Sequence, residues 1–249
     1  TDDTEIYVIE VNPRSSRTIP FISKITGIPM VQLAVDIMLG KKLSDSKYGT
    51  GLWKKQQLVG VKAPVFSMSK LAGVDTYVGP EMKSTGEVMG LDSNYESATT
   101  KALIASNMML PDSGSILLSI ADQDKENAIP LINTLHKNSY KIFATQGTAK
   151  FINSLGIPVI EINKRLEDGN PNVVDIIQNS TVDAVVNTVT GDRSVLQDGF
   201  HIRRAAVEMR IPCFTSLDTA RTASENISSR SLNYNVKTIG EYLNNTKQE

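Results

Sequence analysis

Four side chains of the types that handle metals and phosphates lie close together near the start of the chain. The segment EVNPRSSRTIP contains Glu10, Asn12, Arg14 and Arg17. Glu10 and Asn12 are two positions apart at the end of a predicted strand, so both point to one face, and their oxygens suit Mg²⁺. Arg14 and Arg17 suit a phosphate or an acyl phosphate, because a guanidinium forms paired hydrogen bonds with such groups. On composition alone, a solvated turn after the strand is an equally good interpretation.

A second set of polar residues follows the apolar runs of the second half. The carboxyl ends of the runs ILLSI, KIFAT, PVIEI and DAVVNTV and the loops that follow them carry Lys125, Thr145, Thr148, Lys164, Asn187 and Thr190. Hydroxyls and free N–H groups at helix N-termini favour an anion, and lysine adds full charge. The pattern predicts a phosphate site, against the alternative that these residues only cap helices and form turns.

The elements that position these residues follow from the apolar pattern. IYVIEV (6–11) reads as a buried strand and VQLAVDIMLG (31–40) as a helix, followed by short strands and a further helix over 94–109. Beyond LPDSGS (110–115), a predicted linker, apolar runs alternate with helix-length segments. This alternation predicts an α/β fold with a doubly wound parallel sheet of five strands, whose ligands bind beyond the carboxyl ends of the strands.

Composition excludes several classes of protein. The 249 residues are 40% hydrophobic and 21% charged, with a net charge of -1, so neither nucleic acid nor an anionic membrane is an expected partner. No apolar run reaches the roughly 20 residues of a membrane span. The single cysteine, Cys213, suits a reducing compartment, and we expect a cytoplasmic protein. Arg203 and Arg204 are either surface charges or part of a subunit contact.

Three groups of motifs resemble the carboxy-terminal portion of the large subunit of carbamoyl-phosphate synthase. They are EVNPRSSRTIPFISKITGIP, then GVD with GPEMKSTGEVMG, and then ATQGTA, NK, NT and IRRAA in order. The resemblance implies that residues 1–110 are the end of an ATP-grasp domain that phosphorylates carbamate with ATP and Mg²⁺ or Mn²⁺. It implies that residues 111–249 are a methylglyoxal-synthase-like regulatory domain that binds a nucleotide effector.

The resemblance also assigns roles to individual residues. Glu10 and Asn12 match metal ligands, and Arg14 and Arg17 match arginines that bind phosphate and carbamate. Lys125, Thr145, Thr148 and Lys164 match the pocket for the effector's phosphate. Asn187 matches a residue next to the effector's ribose and base, and Thr190 is a further expected effector-binding residue. Val189 replaces a hydroxyl residue of the best-known members next to this pocket.

The resemblance narrows the expected effector. Asp198 and Thr215 match a site that binds ornithine in some bacterial members, but Ala63 stands where those members have a glutamate. We therefore expect weak or absent activation by ornithine, since an ammonium ligand loses a charge-assisted contact. Lys164 argues against activation by N-acetylglutamate. UMP, or another phosphorylated nucleotide, is the expected effector.

The resemblance implies partners and a pathway as well. An ATP-grasp site needs further residues from upstream, so these residues alone are not expected to make carbamoyl phosphate. The implied partners are the upstream part of the same subunit, a glutamine amidotransferase small subunit or domain, and further copies in a homo-oligomer. The implied role is control of pyrimidine and arginine biosynthesis. The alternatives are a free-standing methylglyoxal-synthase-like enzyme and an assembly module with a vestigial pocket.

Overall fold

The computed structural model describes residues 7–67, 82–164, 169, 171–189, 193–229 and 235–245. These residues form two compact units. The terminal unit contains the described residues up to Leu58 together with those from Lys237 onward, and the sheet unit contains those from Val59 to Val236.

The terminal unit is helical. Its α-helices are α1 (Thr18–Thr26), α2 (Met30–Met38) and α9 (Ile239–Asn245). Helix α1 ends at Gly27, whose φ of 70° is a left-handed conformation that glycine adopts without strain. Helix α9 begins with a capping box, in which Glu241 N–H donates to Thr238 Oγ1 and Thr238 N–H donates to Glu241 Oε2.

The predicted strand over 6–11 is wrong for the part that the structure describes. Residues 7–11 lie in no strand, and Ile9 is 97% exposed. A strand needs a neighbour that pairs its N–H and C=O groups, and no described segment pairs with these residues. The predicted helix over 31–40 is confirmed as α2.

The described helices differ from a membrane span in length and composition. None of the helices among the described residues is by itself long and apolar enough to cross a membrane. Helices α1 and α2 meet that criterion only when taken together, across a bend of 111°.

The sheet unit begins with two antiparallel strands, β1 (Val59–Val65) and β2 (Gly86–Asp92), followed by helix α3 (Tyr95–Ala105). Helix α3 begins after Asn94, whose side chain accepts a hydrogen bond from the Ser97 N–H. Helix and strand approach very closely at Gly90, where a Cβ would stand 1.9 Å from the carbonyl oxygen of Ala98. Only glycine fits this contact.

The rest of the sheet unit is the predicted parallel sheet. Its strands are β3 (Ser115–Ser119), β4 (Lys141–Thr145), β5 (Ile160–Ile162), β6 (Ala184–Asn187) and β7 (Cys213–Phe214). They lie in the order β5-β4-β3-β6-β7, and every pair is parallel. The helices that connect or follow them are α4 (Lys125–Lys137), α5 (Gln146–Ser154), α6 (Val173–Gln178), α7 (Arg193–Glu208) and α8 (Leu217–Ser229).

Helices cover both faces of this sheet. Ile116 and Leu118 of β3 pack into a core that includes residues of α4, α5 and α8, while Leu117 packs into a core with residues of α6 and α7. Alternate residues of one strand therefore face opposite helical layers, as expected for a doubly wound sheet. The predicted fold class is confirmed.

The predicted linker over 110–115 is packed into the sheet unit. Leu110 is buried, the Tyr140 hydroxyl donates to the carbonyl of Pro111, and the Ser115 N–H donates to Asp183. The two compact units separate after Leu58 instead. The division of the chain into an ATP-grasp part (1–110) and a regulatory domain (111–249) stays a prediction.

Candidate anion site at the carboxyl edge of the parallel sheet

The strand order creates a crevice at the carboxyl edge of the sheet. After β3 the chain passes to β4 and β5 on one side, and it later reaches β6 and β7 on the other. Loops that leave neighbouring strands in opposite directions open a crevice between them, which is where doubly wound sheets bind ligands. The predicted site residues flank the ends of β3, β4 and β6.

Three hydroxyl groups meet at the end of β3 and β4. Thr145 Oγ1 lies 3.5 Å from both Ser119 Oγ and Thr148 Oγ1. Thr148 Oγ1 accepts a hydrogen bond from the Ile120 N–H at 3.0 Å and lies 3.3 Å from the Ile120 carbonyl oxygen. The Thr148 hydroxyl therefore provides a hydrogen-bond partner for the backbone N–H of Ile120, just after β3 ends. Both threonines are buried.

Lys125 places its charge beside these hydroxyls. Its Nζ donates to the carbonyl of Gly147, in the first turn of α5, at 2.8 Å. The first N–H groups of a helix have no partner within the helix, so the ammonium and these donors together favour an anion. Nζ also lies 2.7 Å from Asp122 Oδ1, and this hydrogen bond and charge lower the pKa of Asp122.

Asn187 and Thr188 join the other side of the crevice to the same strand end. The carbonyl of Ser119 accepts hydrogen bonds from Asn187 Nδ2 at 3.3 Å and from the Thr188 N–H at 3.1 Å. Thr188 Oγ1 accepts from the Ala121 N–H at 2.9 Å. Ser119 is therefore the residue through which both halves of the site are connected.

A fully buried arginine stands behind Asn187. Arg203 lies on α7, is 0% exposed, and donates from one guanidinium nitrogen to Asn187 Oδ1 at 2.8 Å. The sequence suggests that Arg203 is a surface charge or part of a subunit contact. Both interpretations are wrong, because the side chain is buried within this chain. Its neighbour Arg204 pairs with Glu208 of the same helix at 2.7 Å.

The structure describes only some of the other predicted residues of the effector and ornithine-like sites. Lys164 lies just beyond β5 and is half-buried. Thr190 lies outside the described residues, and so does the side chain of Asp198. Thr215 lines a groove of about 570 Å³ between the N-terminal ends of α4 and α8, together with Thr188 and Val189.

The amino-terminal cluster is at the surface of the terminal unit. Glu10, Asn12, Arg14 and Arg17 are all exposed. Asn12 Nδ2 donates to Glu10 Oε1 at 3.0 Å, so the two side chains do lie on one side of the chain. Across the residues that the structure describes, no group of three or more His, Cys, Asp or Glu side chains is placed to hold a metal ion.

Two residues of the site were missed in the sequence. Ser119 is the last residue of the central strand β3, and the rule that ligands bind beyond strand ends points to it, but the apolar run ILLSI assigns it to the strand. Arg203 lies in a helical pattern, and an arginine of a helix normally faces water, so the sequence does not predict its burial. Gly199, one turn earlier in α7, was the available signal, because a glycine inside a helix often makes room for a neighbour.

The sequence of this chain is similar to those of known proteins. Residues 127–215 match the MGS-like domain, and residues 1–46 match the ATP-binding domain of the carbamoyl-phosphate synthase L chain. A carbamoyl phosphate synthase large chain from Thermomicrobium roseum is 47% identical over 237 residues. This chain is homologous to part of a carbamoyl phosphate synthase large chain.

The homology confirms the resemblance and sets its extent. The aligned residues cover 95% of this chain and 22% of the Thermomicrobium carbamoyl phosphate synthase chain. The chain thus spans about a fifth of the length of that curated relative. The MGS-like match covers the ends of β4, β5 and β6, where most of the anion site lies.

Proposed function

We propose that this chain is a regulatory portion of a carbamoyl phosphate synthase large chain, in which the crevice of the sheet unit binds a phosphorylated nucleotide. The nucleotide would control an ATP-dependent ligase reaction that is completed by other parts of the subunit. The observation that carries the proposal is the convergence of Lys125, Thr145 and the first turn of α5 on one edge of an MGS-like sheet.

The chemistry of this edge suits a phosphate group. Lys125 supplies a cation that is 17% exposed, so its charge is only partly screened by water. The first turn of α5 supplies N–H donors, and Thr145 supplies a hydroxyl whose contacts, at 3.5 Å, are long for a hydrogen bond. A phosphate oxygen at this point would offer Thr145 a shorter contact.

For the terminal unit, we propose a share of the carbamate-phosphorylating site. Glu10 and Asn12 offer two oxygen ligands to Mg²⁺ or Mn²⁺, which takes about six, and Arg14 and Arg17 offer guanidinium groups to a phosphate. Because these residues are exposed in the described structure, the remaining ligands and the ATP would come from other parts of the subunit. The match of residues 1–46 to an ATP-binding domain supports this role.

The choice of effector and partners follows from the same resemblance. We propose UMP as the first candidate effector and expect little activation by ornithine, since Ala63 lacks the carboxylate that an ammonium ligand needs. We further propose that the complete enzyme works with a glutamine amidotransferase subunit or domain, forms a homo-oligomer and serves pyrimidine and arginine biosynthesis.

The first test is thermal unfolding of the chain with UMP, IMP and phosphoribosyl pyrophosphate. A ligand at about 100 times its dissociation constant stabilises the folded state by roughly 2.7 kcal/mol, which raises the melting temperature by about 5–10 °C in a chain of this size. Lys125→Met and Lys164→Ala should each reduce the shift strongly.

A matched control lies on the same helix as Lys125. Lys137 ends α4, about 18 Å along the helix axis from Lys125. Lys137→Met changes the net charge as Lys125→Met does, and it should leave the shift intact. If none of the three ligands shifts the wild type, the proposal fails and the assembly module with a vestigial pocket is preferred. If phosphoribosyl compounds are consumed rather than bound, the enzyme alternative is preferred.

A further inference from the structure

The starting point is the complete burial of Arg203. Its guanidinium belongs to helix α7, in the layer where Ile202, Ala205 and Ala206 pack against the sheet. Burying a cation is unfavourable unless hydrogen bonds replace its water. A buried guanidinium therefore needs hydrogen-bond acceptors inside the protein. One acceptor of Arg203 is the side-chain oxygen of Asn187.

The contact with Arg203 fixes the orientation of the Asn187 amide. A guanidinium has donors only, so the oxygen of the amide faces Arg203 at 2.8 Å, and the nitrogen faces Ser119, whose carbonyl it reaches at 3.3 Å. One N–H of the amide is used in this way. Among the described residues the other N–H has no acceptor, and Asn187 is the last residue of β6, at the crevice.

Gly199 makes room for the pair. It lies one turn before Arg203 on α7, and a side chain in a helix lies over the preceding turn. A Cβ at Gly199 would stand 2.4 Å from the guanidinium Nη1 of Arg203 and 2.9 Å from Asn187 Oδ1. Glycine inside a helix is unfavourable relative to alanine, and here the notch that it leaves is filled by the arginine and amide.

We propose that Arg203 is a positioning residue for the effector site. It holds the Asn187 amide with one N–H on the Ser119 carbonyl, so that the second N–H is available at the crevice to donate to an oxygen of the nucleoside part of the effector. Arg203 therefore sets affinity for the nucleoside part and not for the phosphate, which lies with Lys125 across β3. The inference rests on the proposed function of the crevice.

The test measures dissociation constants of UMP, IMP and inorganic phosphate by calorimetry with the whole chain. Arg203→Met should weaken binding of a nucleotide by about three- to tenfold, the value of one hydrogen bond, and should leave phosphate binding unchanged. Asn187→Ala should weaken the same nucleotide to the same extent. The double variant should bind no more weakly than Asn187→Ala alone, since Arg203 acts through Asn187.

A second variant keeps the inference testable if Arg203→Met does not fold. Gly199→Ala retains the arginine and displaces the arginine–amide pair, so it should give the same selective loss of nucleotide binding. Equal weakening of nucleotide and phosphate in these variants, or losses that multiply in the double variant, would overturn the positioning role alone. A wild-type chain that binds neither UMP, IMP nor phosphate would overturn the proposed function and this inference with it.

Discussion

Replacing Lys101 with methionine should destabilise the sheet unit through a single ammonium group. Lys101 Nζ donates to Asp92 Oδ2 at 2.6 Å, to the Leu91 carbonyl at 2.9 Å and to the Asn235 carbonyl at 2.6 Å. An ammonium group has three N–H donors, and these three acceptors lie within hydrogen-bond distance of it. One side chain on α3 thus connects strand β2 with the segment that follows α8.

The expected loss of stability depends on the burial of the ion pair and on the hydrogen bonds that Asp92 keeps after the substitution. Removing one partner of a buried ion pair destabilises a protein by about 3–5 kcal/mol. The side chains of Lys101 and Asp92 are 16% and 12% exposed, and Asp92 keeps hydrogen bonds from the N–H and hydroxyl of Ser93. Both features reduce the effect, so we expect a loss of about 2–3 kcal/mol at neutral pH.

The loss should depend on pH in a defined direction. Burial acts to raise the pKa of Asp92, but the hydrogen bond and charge of Lys101, with the hydrogen bonds from Ser93, outweigh it and lower the pKa below its usual 3.8. The ionised carboxylate therefore contributes stability above that value, and the contribution is lost as the pH falls through the lower pKa of the folded state. The difference between wild type and Lys101→Met should shrink below about pH 4.

The assay is urea denaturation followed by circular dichroism and by tryptophan fluorescence. The single tryptophan, Trp53, lies in the terminal unit, so fluorescence reports on that unit, whereas circular dichroism reports on the whole chain, and the urea midpoint by circular dichroism should fall. Lys150→Met, at an exposed position of α5, is the matched control. A Lys101→Met chain as stable as this control at neutral pH would refute the reasoning, as would a loss that persists in acid.

Two further predictions concern packing and charge. Gly90→Ala should destabilise the sheet unit by at least about 2 kcal/mol, because its Cβ would meet the Ala98 carbonyl at 1.9 Å; Gly86→Ala, with no neighbour nearer than 3.9 Å, is the comparison in the same urea assay. Asp122→Asn should strengthen binding of inorganic phosphate, measured by calorimetry, because it removes a carboxylate from Lys125. Since the pKa of Asp122 is lowered, its carboxylate is ionised from pH 6 to 8, so the gain should be present throughout this range, and unchanged binding would contradict it.

The parallel sheet could be predicted because buried parallel strands have a simple sequence pattern. ILLSI and KIFAT are continuous apolar runs between helix-length segments, and both are strands whose two faces are covered. IYVIEV has the same local pattern, but pattern alone does not show whether a pairing partner exists, and residues 7–11 are exposed.

The site was predicted in part for a similar reason. Lys125, Thr145 and Thr148 follow strand ends, and strand ends can be found from the sequence, so their convergence could be anticipated. The role of Arg203 depends on a notch at Gly199 in a different turn of the helix. Helical periodicity treats every arginine alike, and it carries no information on the space that a glycine leaves behind.

The division of the chain into units has a consequence for proteolysis. Residues on both sides of the sheet unit, up to Leu58 and from Lys237 onward, belong to one compact unit, so the polypeptide passes between the units twice. A protease that cuts once, between Leu58 and Val59, would leave the two units joined through Val236 and Lys237. Only a second cut there would sever the last covalent connection between the units, and the terminal unit would then consist of two separate polypeptides held together without a covalent bond.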